Sequence, residues 1–451
     1  MRTIMNINEM TSYHVPRLRE GRTIKVSVPG SKSITNRALL LAALSNKRCY
    51  LSGVLFSDDS RAFLDSLMKL GFFVEIKEEE KSVVLQGTGG KIPNPRATIN
   101  VRSAGTAARF LTVFLALAGG EYELQASEQM CKRPMQPLLE ILQKAGVIFE
   151  YHGEEGHFPF TMRSGGVMEK EGDLPGLFLH EVSVDTEVSS QFASALMMSG
   201  VLLEKGLLIH MVGDRVEGAY IKMTLSMMRQ FGIDAEMKNG TCYVKNTKDF
   251  GLSEYEIEPD VSGACYFYAM APLLKTDVTV FGVHKNSLQG DIKFLEALQQ
   301  MGCSLYEEAE GIRLSGRSLS AYHGLEISMK DFSDQTMTMA AIAPFADTPT
   351  LIKNVGHIQF QESDRLHAIL KELSRMGIRC EEVKEEAGLR IYPGEIREAQ
   401  VETYEDHRMA MAFSLPGVKT GKITIKNPGC CRKTFESYFE LIDMLADGQE
   451  V

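Results

Sequence analysis

The chain has 451 residues, of which 44% are hydrophobic and 24% charged, with a formal net charge of −10. At this length such usage means two or three globular domains, and it excludes disorder, a collagen-like repeat and a small disulfide scaffold. No apolar run is long enough for a membrane span, no apolar signal core opens the chain, and the eight scattered cysteines form no C-x-x-C. A cytoplasmic protein is therefore expected, and the acidic balance argues against a nucleic-acid partner.

In chain order, a strand is expected over 23–28 (TIKVSV), ended by Pro29 and Gly30. Then two series of helices interleave. One is apolar nearly all round, which marks a buried helix. Its members start at Ser33, Gly105, Ser190, Ser262, Asp334 and Asp406, separated by 72, 85, 72, 72 and 72 residues. The other series is amphipathic and closes on Gly71, Gly146, Gly232, Gly302, Gly377 and Gly448, each where a left-handed C-terminal cap belongs. Alternating segments after these glycines, such as those opening at Ser82, Gly311 and Leu389, read as β-hairpins. The chain thus holds six units of 70–85 residues, and periodicity alone allows a solenoid or two groups of three. The last unit lacks its hairpin, and the strand over 23–28 is expected to supply part of that pairing. Both termini then share one lobe, 1–29 with 259–451, and 30–258 is inserted as the other.

The starts of these helices carry the chemistry. A helix N-terminus offers unpaired N–H groups and the positive end of a dipole, a ready site for phosphate or carboxylate. Capping alone accounts for the Ser, Thr and Asp residues there, but not for the cations beside them. Lys32, Ser33 and Arg37 open the first buried helix; Gly105 and Arg109 lie in the second, and Arg133-Pro134 marks an outer-helix start. Ser189, Ser190 and Gln191 open the third, a weak signal by itself. In the second half Asp334 heads one buried helix, Glu362 and Arg365 the outer helix after it, Asp406, His407 and Arg408 the last buried helix, and Lys433 the last outer helix. Taken singly, Glu362–Arg365 is a surface pair and His407 a satisfied core histidine. Repetition brings equivalent ends to one face, so six cations recurring there point to a polyanion site with Asp334 and Glu362 as its acid–base groups.

At these residues the sequence resembles the 5-enolpyruvylshikimate 3-phosphate synthase family of enolpyruvyl transferases. The segments that carry the likeness are PGSKSITNR from Pro29, AGTAAR from Ala104, RPMQPLLE from Arg133, SSQF from Ser189, ESDRL from Glu362, DHRMAMAFSL from Asp406 and KTF from Lys433. The resemblance implies an α/β fold of two lobes, each of three βαβαββ repeats around buried helices in an inside-out α/β barrel, with the site in the cleft between lobes. It implies transfer of the enolpyruvyl group of phosphoenolpyruvate to the 5-hydroxyl of shikimate 3-phosphate through a tetrahedral intermediate, with release of phosphate, in chorismate and aromatic amino-acid biosynthesis. It also implies no cofactor, no metal and a monomer. By the same resemblance, Lys32, Ser33, Arg37, Ser189, Ser190, Gln191, Tyr220 and Asp334 hold shikimate 3-phosphate. Lys32, Gly105, Thr106, Arg133, Gln191, Arg365, His407, Arg408 and Lys433 hold phosphoenolpyruvate. Asp334 takes the hydroxyl proton, Glu362 moves a proton to and from carbon, and Lys32 and Lys433 stabilise the leaving phosphate. The two substrates bring roughly five to six negative charges together, which the cations offset.

Five positions depart from the family pattern. Gln361 stands for a Lys, His357 for an Asn, Glu217 for a Ser, Ser103 for an Asn and Phe110 for a Pro. Glu217 is the sharpest, since a carboxylate repels a phosphate; either the surrounding loop offers Arg215 instead, or the acceptor is altered. The two competing readings are a transferase that uses UDP-N-acetylglucosamine, for which Cys131 is poorly placed, and a non-catalytic anion-binding repeat protein, which has no need of Asp334 and Glu362.

Overall fold

A computed structural model describes residues 7–166, 177–186, 189–213 and 216–449. One supersecondary unit recurs. In its second copy, strand Arg96–Asn100 leads into the buried helix Gly105–Ala118, which returns to strand Gly120–Gln125. The outer helix Gln136–Lys144 and strands Ile148–Tyr151 and Phe160–Ser164 follow. The first two strands pair in parallel, as a helical crossover allows, and the last two fold back antiparallel, giving the spatial order first–second–fourth–third. Among the described residues there are six such sheets, five of four strands and one of three. They remain separate sheets, so no closed strand barrel forms.

The outer helices stop where the sequence says. Gly71, Gly146, Gly232, Gly302, Gly377 and Gly448 all have positive φ, between 81° and 112°, a conformation that disfavours any residue with a Cβ. The inner helices Lys32–Leu44, Gly105–Ala118 and Ser190–Ser199 are buried over almost their whole circumference and pack on one another. Each fully buried Leu there contributes about 1.5–3 kcal/mol of transfer free energy.

The contacts divide the chain into two compact units, Met1–Pro29 with Glu258–Val451, and Gly30–Ile257. At each crossing a strand stays behind with the unit the chain is leaving. Ile24–Val26 pairs in parallel with Asp277–Phe281, and Glu254–Glu256 pairs in parallel with Arg48–Ser52. Gly30 is required at the first crossing, because a Cβ there would lie 1.8 Å from the Gly53 carbonyl oxygen.

This overturns the expected role of the strand over 23–28. It does not complete the last unit. That sheet is closed instead by Ser12–His14, antiparallel to Ile423–Lys426, which pairs in parallel with Ala399–Val401. The reason lies in the exchange: Glu254–Glu256, which precedes the fourth buried helix, is used in the other unit, and Ile24–Val26 takes the vacated edge.

Candidate active site

Asp334, Glu362, Arg365, Asp406, His407, Arg408 and Lys433, all in the Glu258–Val451 segment, form one largely buried network. Asp406 ends a left-handed pair, Tyr404 and Glu405, and caps helix His407–Thr420 by accepting from the Arg408 N–H at 2.9 Å. Its side chain is wholly buried and also accepts from Arg365 Nε at 2.8 Å and Ser363 Oγ at 3.0 Å. Burial pushes the Asp406 carboxyl up, but Arg365 and His407 outweigh it and hold it below its ordinary value. Arg365, 2% exposed, turns Nη1 to Asp334 Oδ1 at 3.1 Å. Arg408 Nη2 reaches Asp334 Oδ2 at 3.0 Å, so Asp334 lies between two guanidinium groups. Burial alone would lower the Arg365 pKa; Asp406 and Asp334 raise it above the ordinary value.

Glu362 lies at the edge of this network. His407 Nδ1 is 3.1 Å and Lys433 Nζ 3.2 Å from Glu362 Oε2. Glu362 and Arg365 therefore do not form the surface pair their spacing suggested; each has gone to buried partners. Glu362 also precedes its helix rather than heading it, since the helix is Arg365–Arg375 with Asp364 as its cap. Likewise Lys433 closes a 3-10 helix, Pro428–Lys433, five residues before helix Tyr438–Asp447. Carboxylate and imidazole atoms of Glu362, Asp406 and His407 come within 4.8 Å of one another. Arg365 and Lys433 already neutralise the two carboxylates, an arrangement suited to an anionic ligand rather than a cation.

The second network lies in Gly30–Ile257. Arg37 is 1% exposed and, among the described residues, has no carboxylate as a hydrogen-bond partner. It donates to Thr224 Oγ1 (2.8 Å), Ser33 O (3.0 Å), Ser194 Oγ (3.2 Å) and Tyr220 O (3.4 Å). Its guanidinium also lies 5.4 Å from the Phe110 ring centroid and 5.7 Å from that of Tyr220. Burial pushes it down to about 10, which leaves it charged at neutral pH. Lys32, at the head of its helix, is 3.3 Å from Asp59.

Beside it, Asn36 Nδ2 donates to Thr106 Oγ1 at 2.5 Å. Gly105 has two guanidinium groups behind it: a Cβ there would meet Arg109 Nη1 at 2.6 Å and Arg133 Nη1 at 2.7 Å. Burial, with Arg133 adding to it, pushes Arg109 well below its ordinary value. Among the described residues, Nε of both arginines and Oε1 of Gln191 are buried without a hydrogen-bond partner, the condition a polar ligand relieves. Ser189 caps helix Ser190–Ser199 by accepting from the Gln191 N–H at 3.2 Å. Arg133-Pro134 does not start the outer helix; that helix is Gln136–Lys144, with Pro137 in its first turn.

The five departures fall into two groups. Phe110 packs under Arg37, Gln361 Oε1 accepts from Arg365 Nη1, His357 Nε2 is 2.9 Å from Ser333 Oγ, and Ser103 Oγ is 2.7 Å from Ser127 Oγ, so these four are built into the networks or their support. Glu217 is exposed and 3.7 Å from Lys222. The alternative of Arg215 lies outside the described residues.

Sequence reasoning missed Asp406 as the anchor of the first network and Asp59 as the partner of Lys32. Asp406 could have been found from its cap position directly before two cations.

The sequence profile of the family described as EPSP synthase (3-phosphoshikimate 1-carboxyvinyltransferase) matches residues 21–442. A 3-phosphoshikimate 1-carboxyvinyltransferase of Nostoc sp. is 38% identical over 435 residues, covering 95% of this chain and 98% of the relative. The enzyme of that name from Marinomonas sp. is 37% identical over 426 residues, covering 94% and 97%. The solved EPSP synthase of Acinetobacter baumannii superposes with a TM-score of 0.77 at 22% identity, over 96% of this chain and 98% of that one, a likeness of fold.

Proposed function

The chain belongs to the EPSP synthase (3-phosphoshikimate 1-carboxyvinyltransferase) family, and from that membership we propose how its residues divide the reaction. The enzyme transfers the enolpyruvyl group of phosphoenolpyruvate to shikimate 3-phosphate in aromatic biosynthesis, and phosphate leaves. In our reading both residue networks serve the same pair of substrates. Ser33, Arg37, Ser189, Ser190, Gln191 and Tyr220 hold shikimate 3-phosphate. Gly105, Thr106, Arg133, Arg365, His407 and Arg408 hold phosphoenolpyruvate.

Asp334 takes the proton of the 5-hydroxyl as its oxygen attacks C2 of phosphoenolpyruvate. Glu362 delivers a proton to C3, giving a tetrahedral intermediate with a methyl group. The same carboxylate then removes a methyl proton while the C–O bond to phosphate breaks, and Lys32 and Lys433 take up the charge on the departing group. The observation that carries this division is that the two carboxylates have separate neighbours. Asp334 is gripped by two guanidinium groups, whereas Glu362 lies between an imidazole and an ammonium, groups suited to passing a proton.

Phosphate release tests it, measured with phosphoenolpyruvate and either shikimate 3-phosphate or UDP-N-acetylglucosamine. Release occurs only with shikimate 3-phosphate, and Asp334→Asn lowers kcat by about 10²–10⁴. Wild-type turnover by Asp334→Asn would overturn the assignment. No helix among the described residues is long and apolar enough to cross a membrane. We further propose a cytoplasmic monomer, which sedimentation of the purified protein and fractionation of cells would check.

A further inference from the structure

We propose that Asp291 is a positioning residue for this reaction: it holds the segment bearing Asp334 in place and, by its negative charge, strengthens Asp334 as the acceptor of the hydroxyl proton. This rests on Asp334 being the base.

Asp291 lies in the 3-10 helix Gly290–Lys293, within the residues the family profile matches but outside the short segments quoted for the resemblance. Its carboxylate is buried where three chain segments meet. Oδ2 accepts from Ser262 Oγ, in the first turn of helix Val261–Tyr268, and from Gln335 Nε2 at 3.2 Å. Gln335 adjoins Asp334, so the second bond fixes the turn from which Asp334 projects. The charged groups acting on Asp291 are Asp334, from the turn Ser333–Gln335, and Arg408, from helix His407–Thr420. Helix Val261–Tyr268 adds Cys265, whose Sγ is 3.6 Å from the Asp291 carbonyl oxygen, and Asp260 at its cap. Helix Phe294–Gln300 adds only the exposed Glu296, and Lys293 is taken by Asp331 at 2.6 Å.

The charge is what needs explaining. Arg365 and Arg408 are already matched by Asp334 and Asp406, so Asp291 is a third buried carboxyl, placed near Asp334 and the Arg408 guanidinium. Its two donors would be served equally well by an amide oxygen. A surplus carboxylate beside an anion-binding network carries a desolvation penalty and repels its neighbour. Burial first, and then Asp334, push Asp291 up to about 6. In the unfolded chain an aspartate titrates near 3.9. Between those values the folded chain binds the extra proton, so stability falls as pH rises through that window, and the ionised group is a stability cost at neutral pH. What the charge supplies is repulsion on Asp334, which tightens the hold of that carboxylate on a proton, the property a base needs.

The test is the pH profile of kcat for Asp291→Asn with both substrates saturating, alongside its Tm. The variant should lose kcat by about tenfold at pH 7.5. Its acid limb should move down by about one pH unit, because Asp334 loses its like-charge neighbour. KM for phosphoenolpyruvate should change less than about threefold and Tm should hold or rise, since the buried cost is removed. Ser262→Ala removes a bond that favours the ionised form of Asp291, so its acid limb should move the same way as in Asp291→Asn, by a smaller amount. A profile unchanged in both variants, or a kcat loss accompanied by a fall in Tm, would overturn the proposal in favour of a structural role. Asp334→Asn separates the two readings: if it turns over normally the base assignment fails, and if it fails to turn over while Asp291→Asn behaves as wild type only this inference falls.

Discussion

Adding one methyl group at Gly105 reports on the arginines behind it. An alanine Cβ would lie 2.6 Å from Arg109 Nη1 and 2.7 Å from Arg133 Nη1, against an ordinary carbon–nitrogen contact of about 3.4 Å. Both guanidinium groups must retreat by several tenths of an ångström. Arg109 is buried and held by the Gly105 carbonyl at 3.1 Å, Met130 Sδ at 3.8 Å and the Pro134 carbonyl at 3.4 Å. Arg133 is only partly buried, so it moves the further of the two. Displacing it from an anionic substrate weakens a charge-assisted hydrogen bond worth about 1.5–3 kcal/mol, or roughly 10–150-fold in affinity. Steady-state kinetics of Gly105→Ala should therefore show KM for phosphoenolpyruvate raised in that range, KM for shikimate 3-phosphate nearly unchanged, and kcat reduced less. Arg133→Ala in the same background should add little, because both changes remove one interaction. Full additivity, or a rise confined to shikimate 3-phosphate, would refute the reasoning.

Two further substitutions probe the networks from opposite ends. Asp406→Ala removes a buried partner of Arg365 and a helix cap; about 3–5 kcal/mol is expected from the uncompensated guanidinium and about 1 from the cap. Calorimetry should show a Tm lowered by roughly 8 °C or more, and a Tm within a degree of wild type would contradict the geometry. Glu217→Gln should alter KM for shikimate 3-phosphate by less than about twofold, because the exposed carboxylate faces Lys222 and such pairs contribute little; a large change measured in the same assay would return Glu217 to the acceptor's surroundings.

The repeat was legible in the sequence because it is local. Six glycines at helix ends and a spacing of 72 residues need nothing beyond periodicity and cap chemistry. The cations at helix starts were legible for the same reason. What could not be read was pairing across long separations. The alternation in Ile24–Val26 says that it is a strand but not which sheet receives it, and only the exchange with Glu254–Glu256 decides that. Spacing joined Glu362 to Arg365, yet Arg365 is taken by Asp334 and Asp406, residues 31 and 41 positions away. Asp291 lies 44 positions from Gln335 and carries no cap or repeat signature, so contact alone reveals it. Glu217 looked disruptive because neighbouring residues match the acceptor side of the family pattern, and the direction of its side chain is not written in that pattern.

The central claim is the division of labour between Asp334 and Glu362, and proton transfer at carbon tests it most directly. Turnover in heavy water, with mass analysis of the product and of recovered phosphoenolpyruvate, follows the proton that Glu362 is assigned to carry. Wild type should place deuterium on the methylene carbon of both, and Glu362→Gln should place none while still binding both substrates. Deuterium incorporation by Glu362→Gln at a rate near that of wild type would contradict the account.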